Sequence, residues 1–213
     1  MMNTRSLPYG VRQFRVQNLI AELWRNGAGL TRQIAAGCLL DRAATQAHGW
    51  DWRVSIADIT AEGPFSIFEG VDRTAALVGD EKLTLLGDVA PLCFTRAGDV
   101  HAFAGEAALS AKLSNGHAQL LNVMTRRGRA VGKMRSYRED SLVNIAPTEC
   151  RILLNARGAF RLTRPADSGQ SAFELTLNEL EGLQLMGGTS SLQIESLVRG
   201  GCLVDAEITA VSA

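Results

Sequence analysis

Polar side chains alternate with apolar ones along two segments of the chain, and arginine is the most informative of them. Arg53 and Ser55 alternate with apolar residues in one segment, and Asn122 does so in another. Successive side chains of a β-strand point to opposite faces, so each segment is expected to present a polar face. A guanidinium binds a carboxylate through two parallel hydrogen bonds, while hydroxyl and amide groups, including Thr31, orient the rest of a small ligand. The pattern indicates a small-carboxylate site if both faces line one cavity, and a solvated sheet face if they do not.

Metal and thiol chemistry have less support in this sequence. The three histidines lie in separate segments without a His-x-His pair, and the four cysteines are far apart without a Cys-x-x-Cys pair. A common β-barrel metal site needs histidines and a carboxylate that converge on one face. We therefore expect no bound metal, no cofactor and free thiols. The residues concerned are His48, His101, His117, Cys38, Cys93, Cys150 and Cys202.

Acid–base catalysis is the remaining enzymatic alternative. No Gly-x-Ser-x-Gly motif marks a nucleophile, so an enzyme would need a general base in its pocket. Asp72, Glu106 and His101 are the candidates for that base. Asp72 directly precedes Arg73, however, and this pattern is more typical of an ion pair at a turn.

The overall charge is balanced, with 22 basic and 22 acidic residues among 213. This balance favours neither nucleic acid nor an anionic membrane as a partner. The basic run at 126–138 is followed at once by two acidic residues, and it indicates a solvated hairpin. No stretch approaches the roughly 20 apolar residues of a membrane span, and residues 1–10 lack the apolar run of a secretory signal. We therefore expect a cytoplasmic protein.

Short strands are predicted along the whole chain. The central one begins at Trp52 and is broken at Gly63-Pro64, and many similar segments follow at turn spacing. Residues 155–158 indicate a hairpin turn, and only residues 107–113 are considered for a helix. The near absence of helical periodicity predicts an all-β sandwich or barrel. Loops are expected at 36–49 and 164–170.

Five motifs in order carry a resemblance to a known family. They are WRNGAGLTRQI at 24–34, WRVSIA at 52–57, GPFS at 63–66 with Phe68, Gly70, Asp72 and Arg73, FAGE at 103–106 and NVMTRRG at 122–128. Together they resemble the HutD/Ves family. The resemblance implies a cupin-like (jelly-roll) double β-barrel, a metal-free bicupin. We predict a first barrel half at residues 8–135 and a second half at residues 136–213.

For the HutD branch, the resemblance implies a role in histidine utilisation, through binding of a small acidic compound such as formylglutamate or urocanate and limitation of pathway output. The Ves branch is linked to stress response. The sequence departs from the family pattern at four positions: Ala28, Gln33, Glu106 and Leu120. The last of these removes a charge that the family pattern implies near the pocket wall. The pattern implies these pocket or pocket-supporting residues: Trp24, Asn26, Thr31, Arg32, Arg53, Ser55, Phe65, Ser66, Asn122, Met124 and Arg127.

We therefore predict a non-catalytic protein that binds a small carboxylate. In it, Arg53 clamps the anion, Asn122 and Ser55 orient the ligand, and apolar residues form the walls. Two alternatives remain: a metal-free cupin-type isomerase or lyase acting on a small acidic metabolite, and a protein-interaction module of the Ves type. No nucleic acid or membrane partner is expected. Edge strands of such barrels often pair between subunits, so a homodimer is a further prediction.

Overall fold

The computed structural model describes residues 7–24, 26–38, 49–88, 90–145, 150–166, 171–187 and 190–211. These residues form nineteen β-strands and one 3-10 helix, Val16–Asn18, so the predicted all-β class is confirmed. Among them, no helix has the length and apolar character needed to cross a membrane. His48 and parts of the loops predicted at 36–49 and 164–170 lie outside the described residues.

Two sheets enclose a first barrel. Sheet I has four strands and packs against sheet II, which has six, and all strand pairs are antiparallel. Leu77, Leu85, Phe94 and Leu120 lie fully buried in the core between them. Complete burial of side chains of this size stabilises a fold by about 1.5 to 3 kcal/mol each. The strands of sheet I are, in spatial order, β5 (Gly63–Pro64), β10 (Ser110–Leu113), β7 (Leu83–Leu86) and β8 (Leu92–Phe94), and those of sheet II are β2 (Ala21–Leu23), β3 (Gly29–Gly37), β4 (Trp52–Ile59), β11 (Ala118–Arg126), β6 (Val71–Val78) and β9 (Val100–Ala104).

Two further sheets enclose a second barrel. Sheet III has five strands and sheet IV has four. Leu153, Phe160, Leu183 and Leu203 lie fully buried between them. The strands of sheet III are, in spatial order, β1 (Val11–Arg15), β17 (Glu181–Leu185), β14 (Cys150–Arg157), β19 (Cys202–Ala210) and β12 (Ala130–Tyr137), and those of sheet IV are β13 (Ser141–Ile145), β18 (Ser190–Ser196), β15 (Phe160–Arg164) and β16 (Phe173–Leu177).

Sheets II and III pack back to back. Val54, Ile56 and Val123 of sheet II share a buried cluster with Ile152 and Val204 of sheet III. The sheets therefore stack in the order I, II, III, IV, which confirms the predicted double β-barrel. Because sheet II is covered on both faces, its inward-facing side chains are confined to the first barrel and are shielded from solvent except at its ends.

Two predicted hairpins are wrong. At 126–138 the strand β11 pairs with β4 and β6 in sheet II, whereas β12 pairs with β19 in sheet III. At 155–158, β14 lies in sheet III and β15 in sheet IV. A turn signal predicts that the chain changes direction, but it does not specify which strand becomes the partner, so both turns carry the chain from one sheet to the next.

The helix considered at 107–113 is also wrong. Its second part is strand β10, which pairs with β7, and Leu109 and Ala111 are buried in the first barrel. The small residues of this segment reflect close packing between sheets rather than helix propensity.

The predicted boundary between the two halves of the chain does not coincide with the boundary between sheets. The boundary at residues 135 and 136 falls within β12, and β1 from the first predicted half pairs with β17 of the second. The division into residues 8–135 and 136–213 stays a prediction.

Candidate functional site

A cavity of about 210 Å³ opens in the first barrel, at the end where β4 and β6 begin and β11 finishes. Sheet II forms its floor, and the chain segments at 22–24 and 65–68 form its walls. Eight residues that the sequence placed in the pocket line it: Trp24, Thr31, Arg53, Ser55, Phe65, Ser66, Asn122 and Met124.

Strand register explains why these residues meet. Met124 in β11 pairs with Arg53 in β4 on one side and with Arg73 in β6 on the other. Asn122, two residues earlier in β11, pairs with Ser55. Because alternate residues of paired strands share a face, these five side chains all lie on the face of sheet II that is turned toward sheet I.

Arg73 is the most buried charged group of the cavity, with only 7% of its surface exposed. Its Nη1 donates to the Ser66 carbonyl oxygen at 3.4 Å and its Nη2 to Asn122 Oδ1 at 3.3 Å. Its Nε is buried without a hydrogen-bond partner in the described part of the chain. Burial, and then the like charge of Arg53, lower the pKa of Arg73 to about 10, so the side chain remains cationic at neutral pH.

Arg53 is half-buried and resembles Arg73 in lacking a carboxylate contact. Its Nη2 donates to Met124 Sδ at 3.2 Å, a weak acceptor, and its Nε is buried without a partner among the described residues. Burial lowers its pKa, and the nearby charge of Glu22 acts in the opposite direction. Neither Arg53 nor Arg73 forms an ion pair within the residues that the structure describes.

Aromatic rings surround the two cations. The Phe68 ring centroid lies 5.8 Å from Arg53 Cζ and 5.6 Å from Arg73 Cζ. Phe65 and Phe103 also lie within cation–π range of Arg73, at 5.4 and 4.9 Å. These contacts stabilise a positive charge, but they do not neutralise it.

Trp24 forms a fixed side wall. Its Nε1 donates to Thr31 Oγ1 at 2.8 Å, and its ring meets Phe65 edge-on with centroids 6.0 Å apart. Thr31 lies in β3, directly beside Trp24 in space. The indole is therefore held in one orientation with its apolar surface available to the cavity.

The second barrel provides an internal comparison. Arg151 is 2% exposed there, and its Nε donates to Asp205 Oδ1 at 2.9 Å while its Nη2 donates to Glu207 Oε2 at 2.6 Å. The folded chain itself therefore supplies two carboxylate partners for the buried guanidinium of Arg151. The two arginines of the first barrel have none among the described residues, which makes their cavity suited to an anion.

Three predicted pocket residues do not line the cavity. Arg32 lies on the opposite face of sheet II, where its Nη1 bonds Asp58 Oδ2. Asn26 Oδ1 accepts the Ala28 amide at 3.1 Å and so shapes the turn that follows Trp24.

The third, Arg127, lies outside the barrel and joins two loops. It forms ion pairs with Asp72 at 2.8 Å and with Glu106 at 3.1 Å. Glu106 also accepts the Gly70 amide at 2.7 Å, and the bonds from Arg127 and then Gly70 lower the pKa of Glu106 to about 2. This clamp fixes the loop that carries Phe68.

The candidates for a general base also lie outside the cavity. Asp72 and Glu106 bind Arg127, and His101 Nε2 is 2.9 Å from the Cys93 carbonyl oxygen. The ion pair predicted between Asp72 and Arg73 is wrong, because neighbouring residues of a strand point to opposite faces. Within the described residues, no group of three or more His, Cys, Asp or Glu side chains can hold a metal ion; freedom from metal stays a prediction.

Arg73 is the main residue that sequence reasoning missed. The sequence analysis placed Arg73 at a turn beside Asp72, whereas strand β6 begins at Val71 and includes both residues. A strand that begins at Val71 places Arg73 in phase with Ala75 and Leu77, on the inward face. The other lining residues that were missed are Glu22, Leu23, Ala57 and Phe68.

A similar sequence matches more than half of this chain. Protein Ves of Citrobacter koseri is 38% identical over 123 residues, which are 57% of this chain and 61% of that protein. The chain thus matches less than two thirds of the length of this relative.

Solved structures support the fold. HutD from Pseudomonas fluorescens SBW25 has a TM-score of 0.74 and 20% identity, covering 95% of this chain and 100% of its own. Oxalate decarboxylase from Lactobacillus farciminis has a TM-score of 0.55 and 8% identity, covering 94% and 87%. At these identities the likeness establishes the fold alone, which is the predicted cupin-like one. The family model for HutD matches residues 16–202, and this chain therefore belongs to the HutD family.

Proposed function

We propose that the protein binds a small carboxylate in the cavity of the first barrel, without converting it, in a role linked to histidine utilisation. The observation that carries the proposal is the pair of arginines, Arg53 and Arg73, that share one cavity and form no ion pair among the described residues, although the exposed Glu22 also lines that cavity. An unpaired buried cation costs several kcal/mol of desolvation. A bound anion offsets that cost, which a neutral ligand cannot do.

The rest of the cavity suits a small organic acid. Asn122 and Ser55 provide hydrogen-bonding groups on the floor, and Trp24, Phe65 and Met124 provide apolar surface. A few polar groups that fix orientation within apolar walls are typical of small-molecule sites.

Membership of the HutD family is the basis for the link to histidine utilisation. Formylglutamate and urocanate are the candidate ligands, since both carry a carboxylate, and binding of either would let the protein sense or limit pathway output. The absence of a catalytic step is supported by the position of Asp72, Glu106 and His101, which all lie away from the cavity.

A thermal-shift series tests the proposal. A ligand that binds only the folded protein adds about 2.7 kcal/mol of stability at about one hundred times its Kd. Formylglutamate or urocanate should raise the Tm of the wild type, and Arg53→Ala should abolish the increase. Arg157→Ala is the matched control, because this exposed arginine pairs with Asp80 far from the cavity.

The proposal fails if neither compound nor any simple carboxylate shifts a cooperative unfolding transition at millimolar concentration. That result would favour the interaction-module alternative. Equal increases in Tm for the wild type and Arg53→Ala would instead indicate that the ligand binds outside this cavity.

A further inference from the structure

One loop covers the two arginines of the first barrel. Residues 65–70 connect β5 to β6 without regular secondary structure. Phe65, Ser66 and Phe68 of this loop line the cavity, whereas the side chain of Ile67 between them is exposed on the outer side. The wall over the cavity is therefore a single layer of chain, and the position of this layer sets the shape of the cavity.

The inner side of the loop is anchored firmly only at its start. Phe65 is buried in the core of the first barrel. Further along, the Ser66 carbonyl oxygen accepts a long hydrogen bond from Arg73, at 3.4 Å, and the Phe68 ring lies 5.6 Å from Arg73 Cζ. Contacts of this length do not fix a backbone position. The second half of the loop therefore depends on its outer contacts.

The outer contacts converge on the end of strand β9. The Phe68 amide donates to the Gly105 carbonyl oxygen at 2.9 Å, and the Gly70 amide donates to Glu106 Oε1 at 2.7 Å. Gly105 is buried, and a Cβ at this position would overlap the Phe68 carbonyl oxygen. Only glycine permits so close an approach of the two backbones, so loop 65–70 lies directly against residues 105 and 106.

Arg127 completes this arrangement from outside the barrel. Its guanidinium bonds Glu106 at 3.1 Å and Asp72 at 2.8 Å, and its own amide donates to the Gly70 carbonyl oxygen at 2.8 Å. The Glu106–Arg127 pair thus holds Gly70 at both its amide and its carbonyl oxygen. Because Arg127 directly follows β11, the pair also ties the loop to the strand that carries Met124 in the cavity floor.

We propose that Arg127 and Glu106 are positioning residues of the first-barrel site, which hold loop 65–70 closed over the cavity, and that a bound ligand leaves when this loop opens. The inference rests on the proposed function and adds to it a control of ligand exchange by two residues that do not line the cavity. Loops with few buried apolar contacts open at a lower free energy than that of global unfolding.

Amide hydrogen exchange measured by mass spectrometry tests the clamp without any ligand. In Arg127→Gln, peptides that cover residues 65–70 should exchange about tenfold faster than in the wild type, whereas peptides from sheet III should not change. The Tm should stay close to that of the wild type, because exposed ion pairs contribute little to global stability. Glu106→Ala, which removes the partner of Arg127 and the acceptor for Gly70, should accelerate the same peptides.

The matched control is Arg157→Gln. The side chain of Arg157 is half-exposed, like that of Arg127, and it also forms an ion pair with an exposed aspartate, Asp80, at 2.7 Å. This variant removes the same charge and a similar surface ion pair, and it should leave the exchange of residues 65–70 unchanged.

Binding kinetics separate a positioning role from attraction by charge. The probe is formylglutamate, or urocanate if only that compound binds to the wild type, and surface plasmon resonance gives both rate constants. Arg127→Gln should raise the dissociation rate about tenfold and leave the association rate nearly unchanged. Arg127→Lys should resemble Arg127→Gln, because an ammonium lacks the planar fork that joins two carboxylates. Attraction by charge alone would instead lower the association rate, and lysine would restore it.

The outcomes distinguish this inference from the proposed function. Unchanged exchange of residues 65–70 in both Arg127→Gln and Glu106→Ala would overturn the inference and leave ligand binding intact. Faster exchange of the loop with an unchanged dissociation rate would overturn it as well, and so would faster exchange across the whole protein with a lower Tm. If neither compound binds to the wild type, the proposed function fails and the role of Arg127 in ligand release fails with it, while the exchange data still decide whether the clamp holds the loop.

Discussion

Replacing Arg73 with methionine should stabilise the free protein, in contrast to most substitutions of buried residues. A pKa lowered to about 10 corresponds to a destabilisation of the charged side chain by about 3 kcal/mol, at 1.36 kcal/mol per pKa unit. At pH 7 the group is charged in both folded and unfolded protein, so the penalty is present in full. It declines only as the pH rises above about 10.

Some of that gain is lost with the contacts of Arg73. Three aromatic rings lie within 6 Å of Arg73 Cζ, and each contributes about 0.5 to 1 kcal/mol. The hydrogen bonds to Ser66 and Asn122 are long, at 3.4 and 3.3 Å, and contribute little. We therefore expect Arg73→Met to be more stable than the wild type by about 1 kcal/mol.

Arg151→Met in the second barrel is the matched control. It removes a similarly buried arginine but leaves Asp205, which is 1% exposed, with the half-exposed Arg135 at 3.1 Å and the Tyr137 hydroxyl at 3.3 Å. Removing one member of a buried ion pair costs about 3 to 5 kcal/mol. The two variants should thus differ by about 4 kcal/mol or more in unfolding free energy.

Urea denaturation at pH 7 measures both variants, with the midpoint compared at constant m-value. If Arg73→Met were destabilised as strongly as Arg151→Met, Arg73 would have to be neutralised within the folded protein. That result would refute the reasoning on which the anion site rests.

Three other predictions follow from the same geometry. Asn122→Asp should place a carboxylate against Arg73, raise stability at pH 7 and weaken carboxylate binding about tenfold or more by calorimetry. Glu106→Gln should make the stability of the folded protein depend less on pH in the acid range, as measured by acid unfolding. In the wild type, a Glu106 pKa of about 2 stabilises the folded state above the ordinary glutamate pKa, and that contribution is lost as the pH falls toward 2. Gly29→Ala should lower the Tm, because the added Cβ would overlap the Asp58 carbonyl oxygen and press on the Trp24 ring.

The alternation of residues predicted correctly which side chains share a face of a strand. In residues 52–56 and 119–127 it placed Arg53 and Ser55, and Asn122 and Met124, on common faces, because side-chain direction in a strand depends only on local geometry. The alternation could not predict that these two strands pair with each other. Arg53 and Met124 are 71 residues apart in sequence, and register is set by the cores on both sides of sheet II rather than by either segment.

The rest of the site depends on where strands begin and which sheet they join. Arg73 was assigned to a turn because Asp72 beside it suggested an ion pair, whereas the true partner of Asp72 is Arg127, which follows β11. Arg32 fits the alternation equally well but faces Asp58 on the opposite side of sheet II. A polar residue in a strand covered on both faces has two possible environments, and only the tertiary packing decides between them.

A buried arginine has carboxylate partners in the second barrel and none among the described residues of the first, and this difference supports the proposed site. Asp205 and Glu207 neutralise Arg151 inside the protein. The burial of Arg151 therefore needs no explanation beyond its contribution to the fold. Arg73 is buried to a similar extent without such partners in the described residues, at a cost of about 3 kcal/mol in a domain that is stable by only about 5 to 15 kcal/mol. A stabilising substitution is available at this position, since methionine would fill a similar space. Local conflicts of this kind are expected where a residue serves binding rather than folding, which supports the first barrel as the ligand-binding half.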